Sequence, residues 1–416
     1  MFRKLLSIDE AQQVLQRDFS PKPVGTEKVP LSEALGRILA EAIVASMDVP
    51  PFDRSTVDGY AVKSEDTFGA DESRPVALNL CGSVSVGETP TILVKNGFVS
   101  EIVTGAPLPS GADAAVMMEH TIHRGGVVFI YSPVSKGENV MKAGSDIQKG
   151  RTILKKDQRI SYGETGILAS LGLTEVSVYK KPIVAVISTG REIVEPGKPL
   201  LAGKIYDINA YTLSAAVKDC GGEPLRLGIM PDEADQLKQA LEKALDSADL
   251  VITSGGVSVG PTDVIPRILD TLGNPGVIVH GIAAKPGKPV TMAVVKGKTV
   301  FSLPGHPTSS LLMFHVLVRP IVCAMAGRKG ESQPVVKAVA ASRMFSTKGC
   351  RTFIMVNVVH DEAGRILASP VPANLSGAIT TLANADGYVE IQENQQFVEA
   401  EEEVTVHLFK PLQATS

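Results

Sequence analysis

Between residues 181 and 328 the chain alternates apolar strand-like runs with amphipathic helical patterns, and no other feature restricts its fold as strongly. Pro182–Ile187 is a buried-strand run that ends in Ser188-Thr189-Gly190. Leu213, Ala216, Val217 and Cys220 fall on one face of a helix over Asn209–Cys220, which Gly221-Gly222 stops. Pro231-Asp232-Glu233 opens a second helix with Leu237, Leu241, Ala244 and Leu245 on one side. Leu250–Thr253 is the next strand, and a helix from Thr262 turns Val264, Ile265, Ile268, Leu269 and Leu272 inward. This alternation predicts a three-layer α/β/α domain with a mostly parallel sheet. Ligands of such sheets sit outside the carboxyl ends of the strands.

The loops at those ends have the composition of an anion site. Thr253-Ser254-Gly255-Gly256-Val257-Ser258-Val259-Gly260 follows a strand and precedes a helix, so its backbone N–H groups and hydroxyls can cradle a phosphate. A tight turn that needs glycine for geometry alone is the plain alternative, and the four small or hydroxyl residues around it favour the site. The spacing is neither a Walker loop nor a dinucleotide fingerprint. Lys285-Pro286-Gly287-Lys288-Pro289 places two cations on a turn stiffened by proline. Pro304-Gly305-His306-Pro307 ends a strand, and Pro307 suits the first turn of a helix over Thr308–Val318. Here His306 reads first as a simple loop residue.

Acidic residues recur in loops: Asp58, Asp146, Glu192, Asp232 and Asp263. Carboxylates beside an anion site are useful when a hard cation such as Mg²⁺ bridges them to phosphate oxygens. Taken singly, Asp232 and Asp263 read equally as acids complementing a helix N-terminus.

At 416 residues the chain is too long for one ordinary core. Residues 1–48 read as helical over Ser7–Asp18, where Ser7-Ile8-Asp9-Glu10 is a capping box, and again over Leu31–Gly36. With residues 146–180, which hold a second box at Ser161-Tyr162-Gly163-Glu164, they predict an elongated mixed α/β domain whose N-terminal helix is free to pack elsewhere. Residues 49–145 carry short alternating runs between turn residues and predict an inserted β domain. Residues 181–328 are the α/β domain, and residues 329–416 return to alternation and predict a C-terminal β barrel.

A net charge of −4 and a pI near 6.0 argue against a nucleic-acid partner. The four cysteines, Cys81, Cys220, Cys323 and Cys350, are far apart in sequence and read as buried free thiols. No signal peptide is legible at the N-terminus. The longest apolar run, near Leu311–Val318, is interrupted by His315, so no membrane span is expected and the cytoplasm is the default location.

Together these segments resemble the molybdopterin molybdenumtransferases, the MoeA family that includes the E domain of gephyrin. The matching motifs are Pro50-Pro-Phe-Asp-Arg-Ser-Thr-Val-Asp-Gly-Tyr-Ala61, Val103-Thr-Gly-Ala-Pro107, Gly144-Ser-Asp146, Ser188-Thr-Gly-Arg-Glu192, Ser254-Gly-Gly-Val-Ser-Val-Gly260, Lys285-Pro-Gly-Lys-Pro289 and Leu303-Pro-Gly-His-Pro307. They run in family order over nearly the whole chain. The resemblance implies four domains and an elongated homodimer whose clefts use both chains. It implies an enzyme that takes adenylylated molybdopterin and molybdate, releases AMP with the help of Mg²⁺, and leaves molybdenum on the pterin dithiolene. Tungstate is nearly isosteric with molybdate, and the sequence leaves both open.

By motif, the resemblance assigns Asp58, Asp146, Glu192, Asp232 and Asp263 to catalysis, with Glu192, Asp232 and Asp263 on the metal. It assigns Thr104, Ser254, Gly255, Gly256, Ser258, Lys285, Lys288, Pro304 and Pro307 to substrate, with Arg351 and Ser376 as further contacts from the C-terminal domain. A molybdopterin adenylyltransferase and molybdoenzymes are the partners it implies. There are two departures from the family pattern. Met141 stands where an arginine is usual, so that either Lys142 is the substitute cation or one cation is missing, and His306 stands where asparagine is common. The rival readings are the pterin adenylyltransferase itself, whose fold resembles residues 181–328 alone, and a non-catalytic cofactor carrier or scaffold.

Overall fold

The computed structural model describes residues 5–256, 264–330, 333–371 and 379–410. The chain divides into two compact units, residues 28–177 and residues 1–27 with 178–416.

In the first unit a six-stranded sheet has the order Ala114–Met117, Gly59–Val62, Phe98–Ile102, Val76–Val84, Val127–Ile130, Thr121–Arg124. Tyr60, Val62, Leu78, Val99, Val116, Val128 and Ile130 are buried on one side of it. The alternating runs expected at Val76–Leu80, Phe98–Thr104, Ala114–His120 and Val127–Tyr131 are therefore strands, the first extended to Val84 and the other three shortened at their ends. The helix Tyr162–Ser170 starts at the expected capping box, where Ser161 accepts from the first-turn backbone and Glu164 accepts from Ser161 N. Leu31–Gly36 was expected to be helical and is only a short 3₁₀ turn, Leu31–Glu33. Pro30 before it is extended, and the turn has no side-chain cap to extend from.

The second unit carries the predicted three-layer domain. Its elements are β1 (Ile183–Thr189), α1 (Asn209–Asp219), β2 (Glu223–Met230), α2 (Ala234–Ser247), β3 (Leu250–Ser254), α3 (Val264–Leu272), β4 (Gly276–His280), β5 (Ala284–Lys285), β6 (Thr291–Val295), β7 (Lys298–Leu303), α4 (Pro307–Met313) and α5 (Arg319–Met325). The sheet order is β2-β1-β3-β7-β6-β4. The first four strands are parallel, while β6 is antiparallel to both β7 and β4. Val184, Val186, Leu250, Ile252, Phe301 and Leu303 face a core shared with α1, α4 and α5. Ala185, Ile187, Val251 and Val300 face α2 and α3. The helix Ile8–Asp18, closed by its Ser7/Glu10 capping box, packs Ile8, Ala11 and Leu15 into the first of these cores.

Helix α4 continues through a π-helical turn, Phe314–Val318, into α5. The combined stretch Pro307–Met325 is long and apolar enough to cross a membrane, which corrects the expectation that His315 would interrupt it, and 67% of it is buried inside the fold. Leu312, Met313, Phe314, Val318 and Val322 are core residues of the unit, so the apolar content is accounted for by packing. Within it, burial and the nearby Arg319 charge hold the His315 imidazole down at about 4.

Beyond α5, β8 (Val335–Ala340), β9 (Arg351–His360), β10 (Ile366–Pro370), β11 (Gly387–Ile391) and β12 (Glu403–Leu408) follow the order β9-β10-β8-β12-β11. Pairing of β9 with β11 closes them into the expected small barrel. Strand β10 was not foreseen.

Candidate functional site

Topology explains why distant loops meet. The parallel strands β1, β3 and β7 end at Thr189, Ser254 and Leu303, three neighbours on one edge of the sheet. Strand β4 ends on the same edge and β6 starts there, because the antiparallel register sets His280 against Thr291 and Thr291 against Ser302. The lysine loop between His280 and Thr291 is thus delivered to the edge that carries the glycine loop and the Pro304 loop.

A cleft of about 360 Å³ opens here, and its walls include Lys285, Lys288, Pro304, His306, Thr347 and Cys350. Lys285 and Lys288 are solvent-exposed. Their loop is also part of a second sheet: Ala284 pairs with Arg351 and Lys285 with Thr352, so β5 is an added strand beside β9 of the barrel. Thr347 and Cys350 come from the loop before β9. Nothing in their local sequence signalled a site, since only the pairing of β5 with β9 brings them to the lysines. His306 is the residue before α4, with Ser310 N donating to its carbonyl (2.9 Å). It is a cleft residue as well as a loop residue.

The glycine loop is held tightly. Gly255 has φ +89°, and a Cβ there would lie 2.4 Å from the Thr189 carbonyl oxygen, so no other residue fits. Gly255 N donates to the Leu303 carbonyl (3.2 Å), and Ser254 Oγ accepts from Asn209 Nδ2 (2.6 Å). Ser254 is buried and serves the loop's frame. Ser258 and Asp263 lie outside the described residues, as does Ser376.

Glu192 and Asp232 follow β1 and β2 and are exposed. Desolvation, and then the charge of Glu192, push the Asp232 carboxyl above the usual range, with Arg191 opposing. A carboxylate whose charge is disfavoured by a neighbouring carboxylate is suited to a cation that both can reach. Among the described residues no group of three acidic, histidine or cysteine side chains is close enough to hold a metal. Pro307 opens α4 and is half-buried.

Arg351 has another occupation. It is only 8% exposed, and it contacts Asp9 (Nη1–Oδ1 3.0 Å, Nη2–Oδ2 2.7 Å), Glu390 (Nη1–Oε1 3.2 Å) and Glu393 (Nε–Oε1 3.1 Å). Its donors are spent on carboxylates, so the expected role in contacting substrate does not fit its geometry.

Asp58, Thr104 and Asp146 belong to the other unit. Asp58 Oδ1 accepts from Thr104 N (2.7 Å), and this bond with the threonine side chain lowers its pKa. Asp146 is exposed. Lys142 is tied to Asp53 (2.7 Å), which also accepts from Ala143 N, and Arg54 Nη2 rests on Met141 Sδ (3.3 Å). The expected substitute cation is therefore already paired. The four cysteines are free, but only Cys220 and Cys323 are buried as expected, Cys81 and Cys350 being half-buried; the fold brings Cys220 and Cys323 together beside Arg319 (Nη1 to Sγ 3.9 and 3.7 Å), which their separation in sequence concealed.

Glycine backbone and lysine charge at the carboxyl edge of a three-layer sheet give this α/β protein the composition of an anion site. Comparison with known proteins narrows this. Residues 6–172 match the MoeA N-terminal region (domain I and II), residues 185–324 a probable molybdopterin binding domain, and residues 337–409 the MoeA C-terminal region (domain IV). The chain is 36% identical to molybdopterin molybdenumtransferase 2 of Mycobacterium tuberculosis over 88% of its own length and 91% of that protein's. It is 32% identical to the molybdopterin molybdenumtransferase of Haemophilus influenzae, covering 98% and 100%. The solved molybdopterin biosynthesis MoeA protein of Pyrococcus horikoshii superposes with a TM-score of 0.87 at 44% identity, covering 98% and 100%. The chain belongs to the MoeA family, transferase enzymes of molybdenum cofactor biosynthesis.

Proposed function

We propose that this chain inserts molybdate, or tungstate, into adenylylated molybdopterin with Mg²⁺-dependent release of AMP. The observation that carries the reading is the cleft in which Lys285 and Lys288 stand beside the Pro304 loop on the carboxyl edge of the sheet. A phosphorylated substrate and a small dianion both need such cations and backbone donors. Glu192 and Asp232 fit a Mg²⁺ ion, because the Glu192 charge adds to the cost of ionising Asp232 and a cation would offset it. Asp263 is proposed to complete that set on the strength of its motif. A bound Mg²⁺ would neutralise phosphate charge there. The lysines orient the substrate anions, the Gly255-Gly256 backbone approaches the phosphate, and the paired acids fix where positive charge is held.

The test is incubation with adenylylated molybdopterin, Mg²⁺ and each oxyanion, following AMP release. No release with either oxyanion sinks the reading. Each lysine contact to a substrate anion is a charge-assisted bond of about 1.5–3 kcal/mol. Lys285→Ala is therefore expected to weaken substrate or oxyanion binding by roughly tenfold to a hundredfold in calorimetry. Unchanged binding of both ligands would remove Lys285 from the site.

The four-domain division at 1–48 with 146–180, 49–145, 181–328 and 329–416 is proposed with it, as is a homodimer with composite clefts. Its ground is that the Asp58, Thr104 and Asp146 motifs lie outside the unit that holds the lysines. Mixing an Asp58→Asn chain with a Lys285→Ala chain is expected to restore part of the activity that each lacks. A fully active monomer in sedimentation at assay concentration counts against composite clefts.

A further inference from the structure

Where α1 meets the ends of β1 and β3, the sheet edge carries a second chemistry that the lysine cleft does not use. Ser188, Asp207 and Asn209 are 1%, 3% and 6% exposed. Ser188 stands beside Ser254 in the parallel register. Asp207 is placed by its backbone N–H, which donates to Val194 O (2.9 Å) on the short strand that follows Glu192. Asn209 opens α1, and its Nδ2 donates to Ser254 Oγ (2.6 Å) and to the Gly305 carbonyl (2.7 Å). A carbonyl only accepts, so the amide orientation is fixed by this contact. The donor half of Asn209 thus ties the glycine loop to the Pro304 loop.

What remains is two acceptors and a hydroxyl. Asn209 Oδ1 and Asp207 Oδ2 are buried and have no hydrogen-bond partner among the described residues, and the same holds for Ser188 Oγ. Helix capping accounts for only half of the Asp207 carboxylate, since Oδ1 accepts from Ala210 N (3.0 Å). Arg226, within electrostatic reach of Asp207, lies over the Tyr211 ring at 4.4 Å. Buried acceptors left open cost free energy unless a ligand or an ordered water donates to them, and here two stand side by side in the chain at the ligand edge of the sheet.

We propose that Asp207 and Asn209 read a hydrogen-bond-donor edge of the substrate, the 2-amino and N3–H groups of a 2-amino-4-oxopteridine ring. This rests on the molybdopterin reading above and assigns the ring-recognition part of that site. A carboxylate oxygen and an amide oxygen match two adjacent N–H donors. They reject a ring that carries a carbonyl in place of the 2-amino group, because acceptor then faces acceptor.

The experiment uses the full chain and two fluorescent probes, 6-hydroxymethylpterin phosphate and the corresponding lumazine, in which the 2-amino group is replaced by oxygen. The wild type is expected to bind the pterin roughly tenfold to a hundredfold more tightly, the range of a hydrogen bond to a charged group. Asp207→Asn keeps an oxygen for Ala210 N and is expected to abolish most of that preference. Lys285→Ala should weaken both probes together and keep the preference. If Asp207→Asn does not fold, Asp207→Ser, which retains one capping oxygen and deletes the other, decides the case. A variant that folds and still prefers the pterin as the wild type does overturns the assignment of Asp207 and leaves the molybdopterin reading standing. A wild type that binds molybdate but neither probe overturns the molybdopterin reading, and this inference with it.

Discussion

Asp232→Asn is expected to lower AMP-releasing turnover on the order of 100-fold, the effect of losing a charge that organises the transition state. At neutral pH it should also raise the thermal midpoint. The second effect follows from the position of the carboxyl. Desolvation and the neighbouring Glu192 charge raise the Asp232 pKa, so the fold favours the protonated form. A raised carboxylate contributes stability below the ordinary carboxylate range, near pH 4, and loses it as pH rises through the folded value. At neutral pH the ionised Asp232 therefore destabilises the fold, and the amide removes that cost. The midpoint gain should be present at pH 7 and fade near pH 4. Added Mg²⁺ should raise the midpoint of the wild type and not that of the variant. Near-wild-type AMP release would return Asp232 to the role of an ordinary acid before a helix.

Arg351→Met is expected to destabilise the second unit by about 2–3 kcal/mol, below the usual cost of breaking a buried ion pair because Asp9 is largely exposed. Ligand affinity should be unchanged. The hydrogen bond from Arg351 is the main reason the Asp9 carboxyl sits below its ordinary range, ahead of a smaller opposing desolvation. A lowered carboxylate pKa gives stability above the unfolded value that is lost as pH falls through the folded one. The wild-type advantage over the variant should accordingly shrink in acid. Urea unfolding at pH 7 and near pH 3, with calorimetry of molybdate binding, checks both halves. A large loss of affinity with intact stability would restore Arg351 to the substrate.

The sequence signals that held are those whose physics is local. Both capping boxes rely on partners three residues apart, and both form. The buried faces of α1 and α2 follow from spacing alone. Gly255 was legible as a loop residue because only glycine takes its backbone conformation. What failed was set by distant chain. Arg351 meets Asp9 across 342 positions, and no local pattern distinguishes a cation for substrate from one for a carboxylate cluster. Thr347 and Cys350 reach the cleft only because β5 joins the barrel sheet. The apolar stretch through His315 is a core helix rather than an interrupted one, since the π-helical turn lets it continue. Asp207 and Asn209 carry no motif of their own and become visible only as buried acceptors left open.

Lys285 links two sheets: its loop runs from the edge strand β4 to its neighbour β6, while its backbone pairs with Thr352 of the barrel. A charge mounted in this way cannot be adjusted independently of the scaffold. Any rotation of the barrel drags the ammonium group with it and changes the width of the cleft and its field in a single motion. An anion that grips Lys285 therefore acts as a strut between the two sheets. Its binding energy is partly spent on stiffening a joint, and the barrel's remote surface becomes a lever through which distant contacts can tune affinity.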